Sequence, residues 1–126
     1  MSMDSKRCLA TLFGMMYVVL LLQKVSGEQE PPVLNPMFIP PNLAIGDMTE
    51  LSCTIKRGNL PITFKWYHNN HPVSDTQKYK ITNSKIGSQF LIEKIMASDI
   101  GNYTCKASNV YGEDSKTESV IIEGKV

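Results

Sequence analysis

The stretch Asp99-Ile100-Gly101-Asn102-Tyr103-Thr104-Cys105 decides the fold of this chain. It places a tyrosine two residues before a cysteine, while a second cysteine, Cys53, and the only tryptophan, Trp66, lie upstream. A cysteine pair that encloses a tryptophan and ends in this tyrosine motif is typical of a disulfide that joins two β-sheets over a buried indole ring. The pattern therefore predicts a two-sheet sandwich and an oxidising compartment, but it does not identify a ligand.

Short runs of alternating apolar and polar residues, separated by turn residues, extend over the rest of the chain and predict an all-β fold. Five prolines between residues 31 and 41 predict that the first strand lies at a sheet edge and breaks at Pro40-Pro41. A further short strand is predicted at residues 80–82. The residues predicted to face the core are Thr49, Leu51, Cys53, Ile55, Ile62, Phe64, Trp66, Phe90, Ile92, Ile95, Tyr103, Cys105, Ala107, Val120 and Ile122.

The first 27 residues have the layout of a secretory signal peptide. Lys6 and Arg7 precede a nearly continuous apolar run, and small residues at positions 26 and 27 fit a cleavage site. An uncleaved membrane anchor is the alternative, although the run is shorter than the roughly 20 apolar residues that cross a bilayer. We therefore expect a signal peptide at residues 1–27 and one domain at residues 28–126, which is secreted or on the extracellular side of the plasma membrane.

Charge and cysteine content exclude some functions. The whole chain carries a net charge of +1, and the signal segment accounts for +2 of it, so the mature part is close to −1. Nucleic-acid binding requires a concentrated basic face, which such a composition does not provide. Cys8 leaves with the signal peptide, and the remaining cysteines, Cys53 and Cys105, form an even pair that secretion would oxidise. A two-cysteine metal site is the alternative, but no third ligand lies at suitable spacing.

The run from Phe90 to Gly112 resembles the I-set immunoglobulin domains of cell-adhesion molecules, through Ile92, Ile95, Asp99, Gly101, Tyr103, Cys105, Ala107 and Asn109. Residues 31–38 and 56–66 resemble extracellular domains of the Down syndrome cell adhesion molecule family. The resemblance implies an immunoglobulin-like, antiparallel Greek-key sandwich in a surface receptor whose domains recognise copies of themselves. Members of that family carry many such domains and a membrane helix. We therefore expect a truncated or secreted form, or an incomplete sequence that lacks a membrane-attached C-terminal part.

The residue types that could act in catalysis or bind a metal have structural explanations in this chain. Asp99 is predicted to pair with Lys78 or Lys80 at the base of the sandwich rather than to act as a catalytic carboxylate. His68 and His71 flank an Asn-Asn turn, and a metal would need a further ligand that the neighbouring sequence lacks. The serines have no histidine placed to activate them. We accordingly expect no enzyme activity, no cofactor, no metal and no small-molecule substrate.

Function is therefore expected on a sheet face. In the resembled family, self-recognition uses the sheet that contains the A, B, D and E strands. In this chain, the outward residues of the corresponding sheet include acids, a base and apolar groups. Two-fold pairing requires such a mixture, because the same patch must complement its own copy. The partner would be a copy on an opposing cell. The alternative is a soluble binder of a different ligand, such as a decoy or defence protein. Asn102-Tyr103-Thr104 is a candidate N-glycosylation site at Asn102. The predicted adhesive face comprises Met48, Glu50, Ser52, Lys80, Thr82, Gln89, Leu91 and Glu93.

Overall fold

Two antiparallel four-stranded sheets form the protein. The computed structural model describes residues 29–122, and the predicted signal peptide lies outside that range. Strands β1, β2, β6 and β5 follow each other in one sheet, and β4, β3, β7 and β8 in the other. The strands are β1 (Val33–Leu34), β2 (Thr49–Arg57), β3 (Thr63–His68), β4 (His71–Val73), β5 (Tyr79–Ser84), β6 (Gly87–Ile92), β7 (Gly101–Asn109) and β8 (Gly112–Val120), and a short 3₁₀ turn spans Ala97–Asp99.

The core lies between the sheets and follows the alternation of the sequence. Successive side chains of a strand point to opposite faces, so every second residue of β2 and β7 is directed inward. Leu51, Tyr103 and Cys105 are completely buried as a result. Of the residues predicted to face the core, only Ile55, Phe64 and Ile122 are partly rather than fully buried. The predicted all-β immunoglobulin-like class is confirmed.

The edges of the sheets differ from the prediction. The first strand has only two residues, because the prolines that follow it cannot donate to a ladder, and it lies at a sheet edge as predicted. Strand β4 was not predicted, since it is three residues long and contains Pro72. It forms because Asn69 and Asn70 both take a positive φ and close a tight hairpin with β3. Between residues 29 and 122, no helix has the length and apolar character needed to cross a membrane.

Candidate protein-binding face

The disulfide and the tryptophan join the two sheets. Cys53 on β2 is bonded to Cys105 on β7, and their Cα atoms lie 6.4 Å apart. The Trp66 ring stacks on a phenylalanine of the opposite sheet at a centroid distance of 5.1 Å. Its indole N–H donates a 2.8 Å hydrogen bond to the Ser88 hydroxyl, which donates at 2.6 Å to the amide oxygen of Asn83. Since the polar atom of the buried indole is satisfied, this cluster is structural.

Asp99 is completely buried at the end of the short 3₁₀ turn, and its contacts give it a structural role. One carboxylate oxygen accepts a 2.7 Å hydrogen bond from the Tyr79 hydroxyl. The other lies 2.8 Å from the ammonium of Lys78 and accepts a 2.8 Å bond from the backbone N–H of Met96. The Tyr103 hydroxyl donates to the Asp99 carbonyl at 2.6 Å, which fixes the corner before β7. Of the two predicted lysine partners, Lys78 is the one that pairs.

Electrostatics of this corner agree with a structural role. Burial alone would raise the pKa of Asp99, but the hydrogen bonds from Lys78, Tyr79 and Met96 outweigh it and hold that pKa below its ordinary value of 3.8. Burial, and then the hydrogen bond to Asp99, raise the pKa of Tyr79 to about 12. Burial is also the main reason that the pKa of Tyr103 is raised. Asp99 therefore remains ionised at neutral pH, with both oxygens occupied by donors.

The two histidines flank the β3–β4 turn and face each other across the ladder. The His68 ring stacks almost parallel on Tyr103, with centroids 4.3 Å apart. Its Nε2 lies 3.2 Å from the Ile100 carbonyl oxygen. In the part of the chain that the structure describes, no three His, Cys, Asp or Glu side chains converge as metal ligands would. His68 thus packs on the tyrosine corner.

The outward side of β2, β6 and β5 brings six of the eight predicted adhesive residues together. Glu50 on β2 lies opposite Leu91 on β6, and Leu91 lies opposite Lys80 on β5. This acid–leucine–base row crosses three strands. A second row consists of Ser52, Gln89 and Thr82. We call the surface formed by these two rows the acid–base face.

The remaining two predicted residues lie at the margin of this face. Met48 precedes β2, and Glu93 follows β6 at a bend, so neither belongs to the paired ladder. Met48 is 67% exposed. Within residues 29–122, neither Glu50 nor Lys80 makes an ion pair. Both charges are exposed and two strands apart, about 10 Å, so each is available to a partner on its own side of Leu91.

The outward side of β3, β7 and β8 has a different chemistry. Its residues are mainly serine and threonine, and the hydroxyls of Thr104 and Thr117 lie 2.7 Å apart across two strands. Lys65 lies directly opposite Lys106 in the ladder. Lys106 also pairs with Glu113 at 3.6 Å. We call this surface the hydroxyl face; its central charges have the same sign.

Asn102 lies on the hydroxyl face, near the start of β7. Its side chain is exposed, and its amide oxygen accepts a 2.6 Å hydrogen bond from the Ser119 hydroxyl. The backbone N–H of Asn102 donates to the side-chain oxygen of Asn69 at 2.9 Å. A glycan would be attached to the amide nitrogen of Asn102. The hydrogen bond from Ser119 is made to the amide oxygen and does not involve this nitrogen. The geometry is thus compatible with the predicted glycosylation, which stays a prediction.

Asn109 has a role that the sequence did not indicate. Its backbone does not take a positive φ, since among the described residues only Asn42, Asn69 and Asn70 do so outside glycine. Instead, its side-chain nitrogen donates to the carbonyls of Glu30 and Asn59, at 2.8 and 2.9 Å. Its side-chain oxygen accepts from two N–H groups of the hairpin. Its side chain thereby connects three segments at one end of the sandwich.

Comparison with known proteins agrees with this geometry. Residues 35–122 match the model of the immunoglobulin I-set domain. The chain is 28% identical over 92 residues to cell adhesion molecule DSCAML1 of Gallus gallus, covering 73% of this chain and 4% of that protein. It is 30% identical over 103 residues to titin of Drosophila melanogaster, covering 82% of this chain and 1% of titin. The solved Dscam1 Ig7 domain, isoform 5, is similar with a TM-score of 0.72 at 23% identity, over 75% of this chain and 99% of that domain.

Proposed function

The chain belongs to the immunoglobulin I-set family, and from this we propose that it is an extracellular recognition module that binds protein, its partner being a second copy of itself. It spans only about 4% and 1% of the lengths of the two relatives described above. One of them is an adhesion molecule and the other is titin, so the family alone does not select a partner. The family is not a catalytic one.

The observation that carries the proposal is the row Glu50–Leu91–Lys80 on the acid–base face. A surface that pairs with itself must offer groups that complement its own copy, because an isologous interface uses the same patch on both subunits. A glutamate and a lysine on either side of a leucine satisfy this requirement. By contrast, the hydroxyl face carries lysines in adjacent positions of its ladder.

The size of the acid–base face indicates a weak interaction. The part of the sheet around its two rows, three strands about 4.8 Å apart and about five residues long, covers roughly 250 Å². A stable interface of standard size buries about 800 Å² on each partner. The pair is therefore expected to be transient in solution, and many copies on one surface would add avidity.

Secretion of the full chain and analysis of the product test the proposal. We expect a protein that begins at Glu28 and sediments with an average mass that rises from monomer towards dimer as its concentration rises. A mass that stays at that of the monomer over the whole series would contradict self-recognition. It would favour the second candidate, a soluble binder of a different ligand. In that case Lys65 and Lys106 on the hydroxyl face would bind an acidic partner.

A further inference from the structure

Strand β3 is longer than the strand that covers its edge. It has six residues, but β4 pairs only with the last three of them and ends at Val73. The chain then crosses towards the other sheet, where the carboxylate of Asp75 accepts a 2.9 Å hydrogen bond from the backbone N–H of Ile81 on β5. The first half of β3 is therefore a free edge of its sheet.

The backbone groups at this free edge have no ladder partner. The N–H of Asn69 donates to the Asn102 carbonyl at 2.8 Å, and the bonds of an antiparallel pair alternate, so the odd-numbered positions along β3 bond to β7. The even-numbered positions face the other side, where Trp66 and His68 pair with β4. Phe64 has the same orientation as these two. Within residues 29–122, no hydrogen bond reaches its N–H or C=O from this side.

Two adjoining clefts follow the free edge, between β3 and β5, and have volumes of about 450 and 440 Å³. Volumes of this size are typical of ligand sites. The first cleft is lined in part by Phe64 and Ile81, which the core covers only partly. The second is lined in part by Leu60, which is 51% exposed, and by Ile62. We call the groove lined by these four residues the β3–β5 groove; its apolar floor runs beside unpaired backbone.

The other edge of the same sheet, strand β8, is protected against pairing. Every second residue of β8 lies on the same side as the buried Val120, which places Lys116 and Glu118 on that side. The carboxylate of Asp114 also accepts the N–H of the next residue at 2.9 Å. Inward-pointing charges are a common device that prevents an edge strand from pairing. On the free half of β3 the inward residue is Phe64, so this edge lacks that protection.

We propose that the β3–β5 groove binds an extended segment of a different protein, which adds to the sheet as a strand antiparallel to β3 and in line with β4. In this mode of recognition, main-chain hydrogen bonds hold the segment and pockets select alternate side chains. Lys85 lies at the end of the groove beside Leu60, and Asp75 lies at the opposite end. An antiparallel segment has its N-terminal side near Asp75 and its C-terminal side near Lys85. The segment that fits is therefore basic at its start, apolar at alternate positions and acidic at its end.

The register of β4 specifies which amides of the segment bond to β3. Val73 lies opposite Trp66, so its backbone faces β3 while its side chain packs against the core. A residue opposite Phe64 would have the same orientation. Its side chain would enter the groove and its N–H would donate to β3, whereas the N–H groups of the neighbouring residues would point away.

The groove has its own spectroscopic reporter. Trp66 lines it and is the only tryptophan of the chain. The Ser88 hydroxyl connects the indole N–H to Asn83, which also lines the groove. A bound segment should therefore change the fluorescence of Trp66. The groove lies at the sheet edges and not on the acid–base face, so binding of a segment does not depend on self-recognition.

Titration of the secreted full chain with a probe peptide tests the inference. The probe is acetyl-Lys-Val-Thr-Val-Thr-Val-Glu-amide, and its binding is followed by Trp66 fluorescence and by calorimetry. N-methylation of its first two valines should weaken binding by about tenfold or more, because two main-chain donors facing β3 are lost. N-methylation of its two threonines is the matched control and should have little effect, because those amides point away from β3.

Protein variants locate the site. Leu60→Asp and Lys85→Glu should each weaken binding of the probe by about tenfold. A probe with its lysine and glutamate exchanged should bind Lys85→Glu better than wild type. Val110→Asp is the control, since Val110 is 86% exposed and does not line either cleft, so it should leave binding unchanged. Thermal unfolding of each variant shows that the fold is intact.

Several results would overturn the inference. A wild type that does not bind the probe in either assay would do so. Equal effects of the two methylation patterns would show that the main chain does not pair with β3. Binding that is unchanged in Leu60→Asp would place the peptide outside the groove. Sedimentation of the wild type alone, without the probe, decides the proposed self-recognition separately.

Discussion

Replacing Asp99 with asparagine should destabilise the protein far more than any exposed charge change. The substitution preserves volume but removes the negative charge and replaces one carboxylate oxygen with an NH₂ group. That group then faces donors, which are the Tyr79 hydroxyl at one oxygen position and the Lys78 ammonium and Met96 N–H at the other. Removing one partner of a buried ion pair typically costs 3–5 kcal/mol, and the Lys78 side chain is 35% exposed, so it can turn to water. We expect the lower end, about 3 kcal/mol, which lowers the Tm of a domain of this size by about 15 °C.

The pH dependence provides an independent check. The pKa of Asp99 is lower in the folded protein than its ordinary value of 3.8, so the unfolded state binds more protons near that pH. The stability that Asp99 contributes is fully present above about pH 4 and is lost as the pH falls through the folded pKa. The difference between wild type and Asp99→Asn in urea unfolding should therefore shrink below pH 4.

Lys80→Met and Lys78→Met are the matched controls, because both lysines belong to the same segment and only Lys78 contacts Asp99. Lys80 is exposed, so Lys80→Met should change the free energy of unfolding by less than about 0.5 kcal/mol. Lys78→Met should cost about 1.5–3 kcal/mol, because it removes a hydrogen bond to a buried charge and leaves Asp99 with two neutral donors. An Asp99→Asn variant within 0.5 kcal/mol of wild type, or a difference that does not vary with pH, would refute this account.

Other consequences of the structure can be measured directly. Cys105→Ala should lower stability by about 2–5 kcal/mol and reduce secretion, and intact mass showing two free thiols in folded wild type would refute the bridge. Ser88→Ala should cost about 1–3 kcal/mol, because it leaves the Trp66 N–H unpaired, and an unchanged urea midpoint would exclude that. Glycosidase treatment should lower the mass of the secreted protein and leave Asn102→Gln unchanged; no mass shift in wild type means that the sequon is unused. N-terminal sequencing should begin at Glu28, and a retained leader would contradict the signal peptide.

The parts of the fold that the sequence predicts are those where burial enforces a period of two. Leu51, Cys53 and Tyr103 alternate with polar residues because one side of their strands faces the core, and the alternation alone places them inside. Alternation does not predict strand β8, because it is an edge strand in which only Val120 is buried. Nothing in the sequence of its first eight residues indicates that they form a strand. Strand β4 is short and contains a proline, and it depends on the turn before it.

Side-chain partners at the sites are less predictable than the faces on which they lie. Alternation shows that Glu50 and Lys80 point outward, but only the register places them in one row on either side of Leu91. Register is set by the hydrophobic pattern of both strands and by the geometry of the turns that join strands, and not by any one residue. For a related reason, the sequence does not indicate the role of the Asn109 side chain. Its contacts with Glu30 and Asn59 join positions that lie 79 and 50 residues away in sequence.

The two faces of the sandwich therefore have different capacities for binding. Lys65 and Lys106 are cross-strand neighbours, and two like charges about 5 Å apart repel by roughly 1 kcal/mol in water and more once a partner removes the water. Glu113 offsets only one of them. If that face met its own copy, it would add two further lysines to this cluster, whereas an acidic partner would relieve it. On the acid–base face, Leu91 separates the opposite charges. Each charge therefore attracts the opposite charge of a second copy more strongly than the one on its own chain. Self-pairing is consequently expected on the acid–base face, and a different, acidic ligand would use the hydroxyl face.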